Sequence, residues 1–242
     1  MSPAGTEAPD ELLVADLPGA RAAFTNRHGG VSEGPYRSLN LGRLTDDDPD
    51  AVTRNRELLE ARIGVPLAMI RQVHGAHVRR IDAPQQPGRP PLEADGQATA
   101  TEGIAPIVLT ADCLPVAVAG GGAAAILHAG WRGLASGILE EGVRAVRELG
   151  SGGPLEAVIG PGAGACCYEV GEEVHARFAS YGPGAKRGPN LDMKRIARVH
   201  LARCGVGAVG DVGICTICSE DFFSHRRDRG LTGRQAGVVW LR

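Results

Sequence analysis

Residues 114–129, LPVAVAGGGAAAILHA, constrain the fold most, because three consecutive glycines separate apolar runs that contain no Asp, Glu, Lys or Arg. Glycine takes the positive φ angles that a tight primed hairpin turn demands. If Gly120 and Gly121 form that turn, Ala119 pairs with Gly122, and counting outwards sets Cys113 opposite His128. Opposed residues keep their Cβ atoms about 4.5–5.5 Å apart, a span over which a thiolate and an imidazole can share one metal ion. A three-residue loop would instead oppose Leu114 to His128, and Pro115 limits the ladder near its end. The run is too short for a membrane-spanning helix and is broken by Pro115 and the glycines.

The remaining composition narrows the class. A chain of 242 residues allows one large domain or two small ones, and one domain over 1–242 is expected. Its 26 basic and 28 acidic residues leave a net charge of −2, with no global field for nucleic acid or anionic lipid. The opening MSPAGTEAPDELLVADLPG lacks a basic segment followed by an apolar one, so no secretory signal and a cytoplasmic location are expected. Six cysteines in such a chain do not read as a disulfide framework, and each is a core thiol, ligand or nucleophile.

Apolar runs at 22–25, 68–73, 107–110, 115–119, 123–128, 157–159, 208–211 and 237–241 predict strands. Helical spacing marks 51–63, 134–149, 169–180 and 191–204, the last with Asn190 as N-cap and Gly205 as its stop. Proline and glycine at 84–91 and 182–189 predict surface loops. Strands and helices mix without strict βαβ alternation, which favours an α+β fold with mixed β-sheets and flanking helices.

A third ligand could join Cys113 and His128 from RQVHGAHV, where Gly75 ends a short strand and leaves His74 at its terminus. Two histidines and one cysteine around Zn²⁺ leave the fourth position open, as in a catalytic site. The same residues also read as a buried thiol and two hydrogen-bonded histidines, and spacing does not separate these readings. His77, three residues past His74, would face the other side of a strand. Asp112 lies next to Cys113 and could act as acid or base, or orient a ligand.

The blocks FTNRHGGVSEGPYRSLNLG, RQVHG, ADGQATATEGIAPIVLTADCLPV, AILHAGWRG, IGPGAGACCYEVGEEV and CTICSEDFFSHRRDRGLTGRQAG, in order from about 24 to 237, resemble the YfiH-like laccase-domain family. That family is also called the purine nucleoside phosphorylase or polyphenol oxidase family, and includes peptidoglycan editing factor-like proteins. The resemblance implies a layered fold like the catalytic domain of cytotoxic necrotizing factor. It implies a metal site of His74, Cys113 and His128, with Arg27 as the arginine that binds substrate.

The activity implied is zinc-dependent phosphorolysis of adenosine, inosine, guanosine and methylthioadenosine to ribose 1-phosphate and free base, with adenosine deaminase activity beside it. Its partners would be a purine nucleoside and phosphate, and a monomer is the expected state. The H-x-E and P-C-x-x-C deaminase signature is absent, so deamination would need another constellation. Cu²⁺ fits less well than Zn²⁺. The only methionines are Met1, Met69 and Met193, and none of the seven histidines forms a His-x-His pair for a multinuclear copper cluster. A competing reading makes Cys113 the nucleophile of a Cys/His hydrolase acting on amides or peptidoglycan precursors, with His128 or His74 as base. A third makes the chain a binding partner of cell-wall synthesis proteins.

Other motifs add little. GPGAGACC lacks the phosphate-loop and dinucleotide patterns and reads as a packing turn. Cys215 and Cys218 form a C-x-x-C with no second such pair, so free thiols are expected. Arg226, Arg227, Arg229 and Arg234 could meet phosphate, but the intercalated Asp228 favours an internal salt-bridge network.

Overall fold

The computed structural model describes residues 11–83 and 90–242. In chain order the elements are β1 (Leu13–Leu17), β2 (Ala20–Phe24), α1 (Pro49–Ile63), β3 (Leu67–Ala68), β4 (Val78–Arg80), β5 (Gly96–Thr99), β6 (Ala105–Thr110), β7 (Leu114–Gly120) and β8 (Ala123–Ala129). There follow α2 (Trp131–Ala135), α3 (Ile138–Leu149), β9 (Glu156–Ile159), α4 (Glu172–Arg177), β10 (Lys186–Arg187), β11 (Asn190–Leu191), α5 (Met193–Arg203), β12 (Ala208–Asp211) and β13 (Gln235–Leu241).

A five-stranded sheet runs β1-β2-β13-β6-β3 and a six-stranded sheet β12-β9-β7-β8-β5-β4. Most pairs are antiparallel, but β3 with β6, β4 with β5 and β9 with β12 are parallel. This is the mixed α+β architecture expected. The β7–β8 hairpin is central because its side chains are apolar on both faces. Ala117, Ala119, Ala124 and Ile126 meet Ala22, Phe24, Val108 and Val239 of the five-stranded sheet. Their alternates Val116, Val118, Ala125 and Leu127 meet Leu139, Val143 and Val146 of α3 and Ile196 of α5. The far face of the first sheet, with Ala23, Ile107 and Val238, is covered by Leu59 of α1 and by Leu39 and Leu41. The order of layers is α1, five strands, six strands, then α3 with α5.

The hairpin turn is a two-residue primed turn, shifted by one residue from the expected one. Gly121 (φ 60°) and Gly122 (φ 79°) both take left-handed conformations, and Gly120 pairs with Ala123. Ser151 donates its N–H to the Gly121 carbonyl at 2.8 Å, which ties the turn to the loop after α3. His128 therefore lies opposite Pro115, and neither Cys113 nor Leu114 opposes it. Continuing the register past Leu114 and Ala129 would bring Cys113 to Gly130.

Three further expectations are corrected. The helix at 134–149 is two, because Gly137 adopts φ 88° and separates α2 from α3. The helix at 169–180 shortens to α4, since Gly171 caps it and a 3₁₀ turn takes over at Ala179–Tyr181. Asn190 lies in a small β10–β11 ladder, and Asp192 caps α5 by accepting the Arg195 N–H. The proposed stop at Gly205 has φ 73°, as a left-handed cap requires. Of the loop at 84–91, residues 84–89 lie outside the described residues, as does the start of the opening segment.

Candidate functional site

Three chain ends converge at one end of the six-stranded sheet. His128 comes from the end of β8, Cys113 from the bend just before β7, and His74 from the turn between β3 and β4. One ligand atom from each lies within 4.8 Å of the others. The His74 and His128 rings meet edge to face with centroids 4.8 Å apart. His128 is buried, Cys113 half-buried and His74 exposed, so the group opens to solvent on one side. Gly130 makes room for the sulfur, since a Cβ there would stand 2.7 Å from Cys113 Sγ.

Asp95, fully buried just before β5, organises this group. Its Oδ1 accepts from His128 Nδ1 at 2.9 Å and from the His74 N–H at 2.8 Å, while Oδ2 accepts the N–H groups of Val73 (3.2 Å) and Gly75 (2.7 Å). Three successive N–H groups can wrap one carboxylate because His74 sits at φ 62°, a conformation rare outside glycine. Burial alone would push the Asp95 carboxyl up, but His128 and these N–H donors outweigh it and hold it below its ordinary value. With Nδ1 donating to Asp95, Nε2 of His128 is the nitrogen left to donate to Cys113 or, once deprotonated, to bind a metal.

The thiol is tuned by the same neighbours. Burial raises it, yet the charge and hydrogen bonds of His128 and the His74 contact bring it down to about 6. His128 moves the other way, with burial overcome by Cys113 and Asp95, to about 9. A thiolate beside imidazole nitrogens whose tautomer is fixed by a carboxylate is a donor set that fits zinc. Such histidine–carboxylate support is the usual second tier of zinc sites.

Asp112 is bonded to residues of the 216–226 segment. It adopts φ 91°, is buried, and accepts from Thr216 Oγ1 and the Arg226 N–H, both at 2.7 Å. Both carboxylate oxygens are thus engaged in tying 216–226 to the start of β7. Arg27 is positioned by its own loop: Nε donates to the Arg37 carbonyl at 2.7 Å and the guanidinium lies 4.7 Å over the Phe223 ring. Burial lowers its guanidinium, and the charges that act on it are Asp228, Arg227, Glu220 and Arg37 rather than Cys113.

The cation that feels the thiolate is Arg234. Burial lowers it, and the charges of Cys113 and Asp112 pull it back. Its Nη1 is held by the carbonyls of Thr232 (2.9 Å) and Gly233 (2.8 Å). Tyr168, buried beneath the Arg226 guanidinium at 5.1 Å, is pushed up to about 12 by burial and by Cys113, so its hydroxyl stays protonated. Sequence reasoning does not find Asp95 or Tyr168, and it places Arg234 in an internal network. Nothing in a lone ADG or CCY string signals either of the first two, whereas Arg234 follows a glycine near the most basic segment.

With the geometry in hand, comparison with known proteins places the chain. Residues 21–242 match the family model described as multi-copper polyphenol oxidoreductase laccase. The chain belongs to this family. A purine nucleoside phosphorylase of Streptomyces coelicolor is 46% identical over 235 residues, covering 92% of this chain and 96% of the relative. One from Pseudomonas aeruginosa is 41% identical, covering 95% and 98%. Among solved structures, a Neisseria meningitidis protein of the DUF152 family superposes with a TM-score of 0.85 at 39% identity, covering 95% of this chain and 98% of that one. YlmD from Geobacillus stearothermophilus gives a TM-score of 0.83 at 33% identity, covering 93% and 92%. Among the described residues, no helix is long and apolar enough to cross a membrane.

Proposed function

We propose that the chain is a zinc-dependent purine nucleoside phosphorylase, and that His74, Cys113 and His128 hold the ion. The observation that carries this is the three-ligand group open to solvent on one side and backed by Asp95. A hydrolase dyad would not require His74, yet its ring is brought to the same sulfur. The names of the relatives support the nucleoside and phosphate as substrates. Zinc is favoured over a multi-copper centre because, among the described residues, this is the one metal-competent group that contains histidine.

Held by His74, Cys113 and His128, zinc would supply Lewis-acid chemistry at this centre. The protein's own groups do the rest. Arg234, whose Nη1 is fixed by the carbonyls of Thr232 and Gly233, is the proposed cation for phosphate. The protonated Tyr168 hydroxyl is a donor for a substrate oxygen or the leaving base. Phosphate oxygen attacks the anomeric carbon as the glycosidic C–N bond breaks, and the purine leaves with the bond electrons and takes up a proton. Arg27, held beside Phe223, is retained as a candidate substrate-binding arginine. Deamination of adenosine would be a separate reaction, in which water adds at purine C6 and ammonia leaves, and it requires the base rather than the ribose to face this centre. The expected product is free adenine or hypoxanthine only when phosphate is supplied, and Arg234→Ala should raise KM for phosphate more than KM for nucleoside. Base release that ignores phosphate would overturn the phosphorylase reading.

A second reading has its own observation. Cys113, His128 and Asp95 are arranged as nucleophile, base and orienting carboxylate, with the thiol pulled down to about 6. This supports a metal-free Cys/His hydrolase on amide or peptidoglycan-precursor substrates. A trapped acyl-enzyme on Cys113 in zinc-free protein would favour it, whereas zinc protection of Cys113 against alkylation favours the first reading.

A further inference from the structure

We propose that Cys166, Cys167, Cys215 and Cys218 form a second, closed metal site that binds one zinc ion and clamps two loops together. The four sulfurs lie within 4.8 Å of one another, although the cysteines come from segments about fifty residues apart. Four thiolates around one zinc at ~2.3 Å place their sulfurs at the corners of a tetrahedron whose edges are ~3.8 Å. The separations of Cys218 from Cys166, 3.5 Å, and from Cys167, 2.8 Å, are somewhat shorter than that edge, so the thiols need only spread slightly to admit the ion. One ion fits such a group, whereas a multi-iron cluster needs its sulfurs farther apart.

The scaffold is built before any ion arrives. Gly162 and Cys215 form a parallel bridge, and Thr216 donates its N–H to the Gly162 carbonyl at 3.2 Å. Gly164 donates its N–H to Cys215 Sγ at 3.2 Å, the kind of bond that stabilises a metal thiolate. Its lack of a side chain leaves room for the thiols, since a Cβ there would come within 3.1 Å of Cys166 Sγ and 3.2 Å of Cys215 Cβ. The C-x-x-C closes as a turn, with the Ser219 N–H on the Cys215 carbonyl at 3.1 Å. Below it, Lys194 donates to Asp211 (2.9 Å) and to the Ile214 carbonyl (3.0 Å), fixing the chain that leads into Cys215.

Position gives the site its purpose. Tyr168 follows Cys167, and Thr216, which holds Asp112, follows Cys215. An ion there locks the two loops that carry these groups, without an open coordination position of its own. A set of thiolates with no free position is structural rather than catalytic. The vicinal pair supplies the half that a second C-x-x-C would otherwise provide.

The test is a zinc count on the full chain, loaded with zinc under reducing conditions and desalted. We expect two zinc ions per wild-type chain, one in Cys113→Ala, one in Cys218→Ser and none in the double variant. Cobalt loaded into the Cys113→Ala variant should show the intense visible bands of a tetrahedral tetrathiolate, a readout that does not need Cys218→Ser to fold. This inference is independent of the phosphorylase reading, which the cobalt spectrum does not probe. One zinc in the wild type that Cys113→Ala removes would overturn it. So would iron in place of zinc, or a Cys167–Cys218 disulfide in the reduced, zinc-loaded protein.

Discussion

The two cysteine centres are built by opposite means. The first takes a histidine from the end of β8, a sulfur from the bend before β7 and a histidine from the β3–β4 turn, with a buried carboxylate behind them and solvent in front. The second takes four sulfurs from surface loops, with backbone N–H groups and a glycine as its support. A mixed donor set held by a buried carboxylate and open on one side suits a reacting centre, while a closed sulfur set suits a brace. Donor set and surroundings point the same way.

Breaking each centre in turn should expose the difference. The largest effect is expected for Cys113→Ala, which should reduce phosphate-dependent base release to the level of a blank and remove one zinc, as read by product chromatography and metal analysis. Next comes Asp95→Asn, which leaves all three ligands in place but weakens the carboxylate that orients His128 and wraps the 73–75 turn. Zinc affinity should fall by about 10–100-fold, measured by competition with a chelating dye. Gly130→Ala sharpens the same point sterically. Its new methyl would stand 2.7 Å from Cys113 Sγ, so denaturant titration should show a loss of about 1–3 kcal/mol with weakened zinc binding.

Effects on the brace should be milder in turnover and clearer in stability. Cys218→Ser is expected to lower the thermal midpoint by several degrees, with a smaller loss of turnover than Asp95→Asn. The smallest effect concerns Asp228, which binds Arg227, itself donating to the carbonyls of Thr216 (2.9 Å) and Ser219 (2.7 Å) beside the C-x-x-C. Burial pushes the Asp228 carboxyl up, but Arg227 and Thr232 overcome this and hold it below its ordinary value. Its stabilising contribution is therefore present above the unfolded value of about 3.9 and is lost as pH falls through the lower folded value. Asp228→Asn should destabilise at neutral pH, and its difference from wild type should shrink towards zero in acid, as followed by urea unfolding.

Much of the fold was legible because the 114–129 runs and the period of α1, α3 and α5 leave few alternatives. The primed turn was readable, but its place was not, since three glycines offer two equivalent two-residue turns. Packing of Gly121 against the 150–152 loop, remote in sequence, chooses between them. His74, Cys113 and His128 could be nominated from local strings and family blocks. Asp95, Tyr168 and the Arg234 charge could not, because their roles come from contacts across long sequence distances. The same holds for the four thiols: a C-x-x-C looked solitary only because its partners are an adjacent pair some fifty residues earlier.

The most direct test joins zinc content and adenosine turnover, with and without phosphate, on one preparation beside its Cys113→Ala variant. The account predicts adenine released only with phosphate, and a variant that loses this activity together with one zinc while retaining the second. Undiminished phosphate-dependent turnover in Cys113→Ala would contradict it.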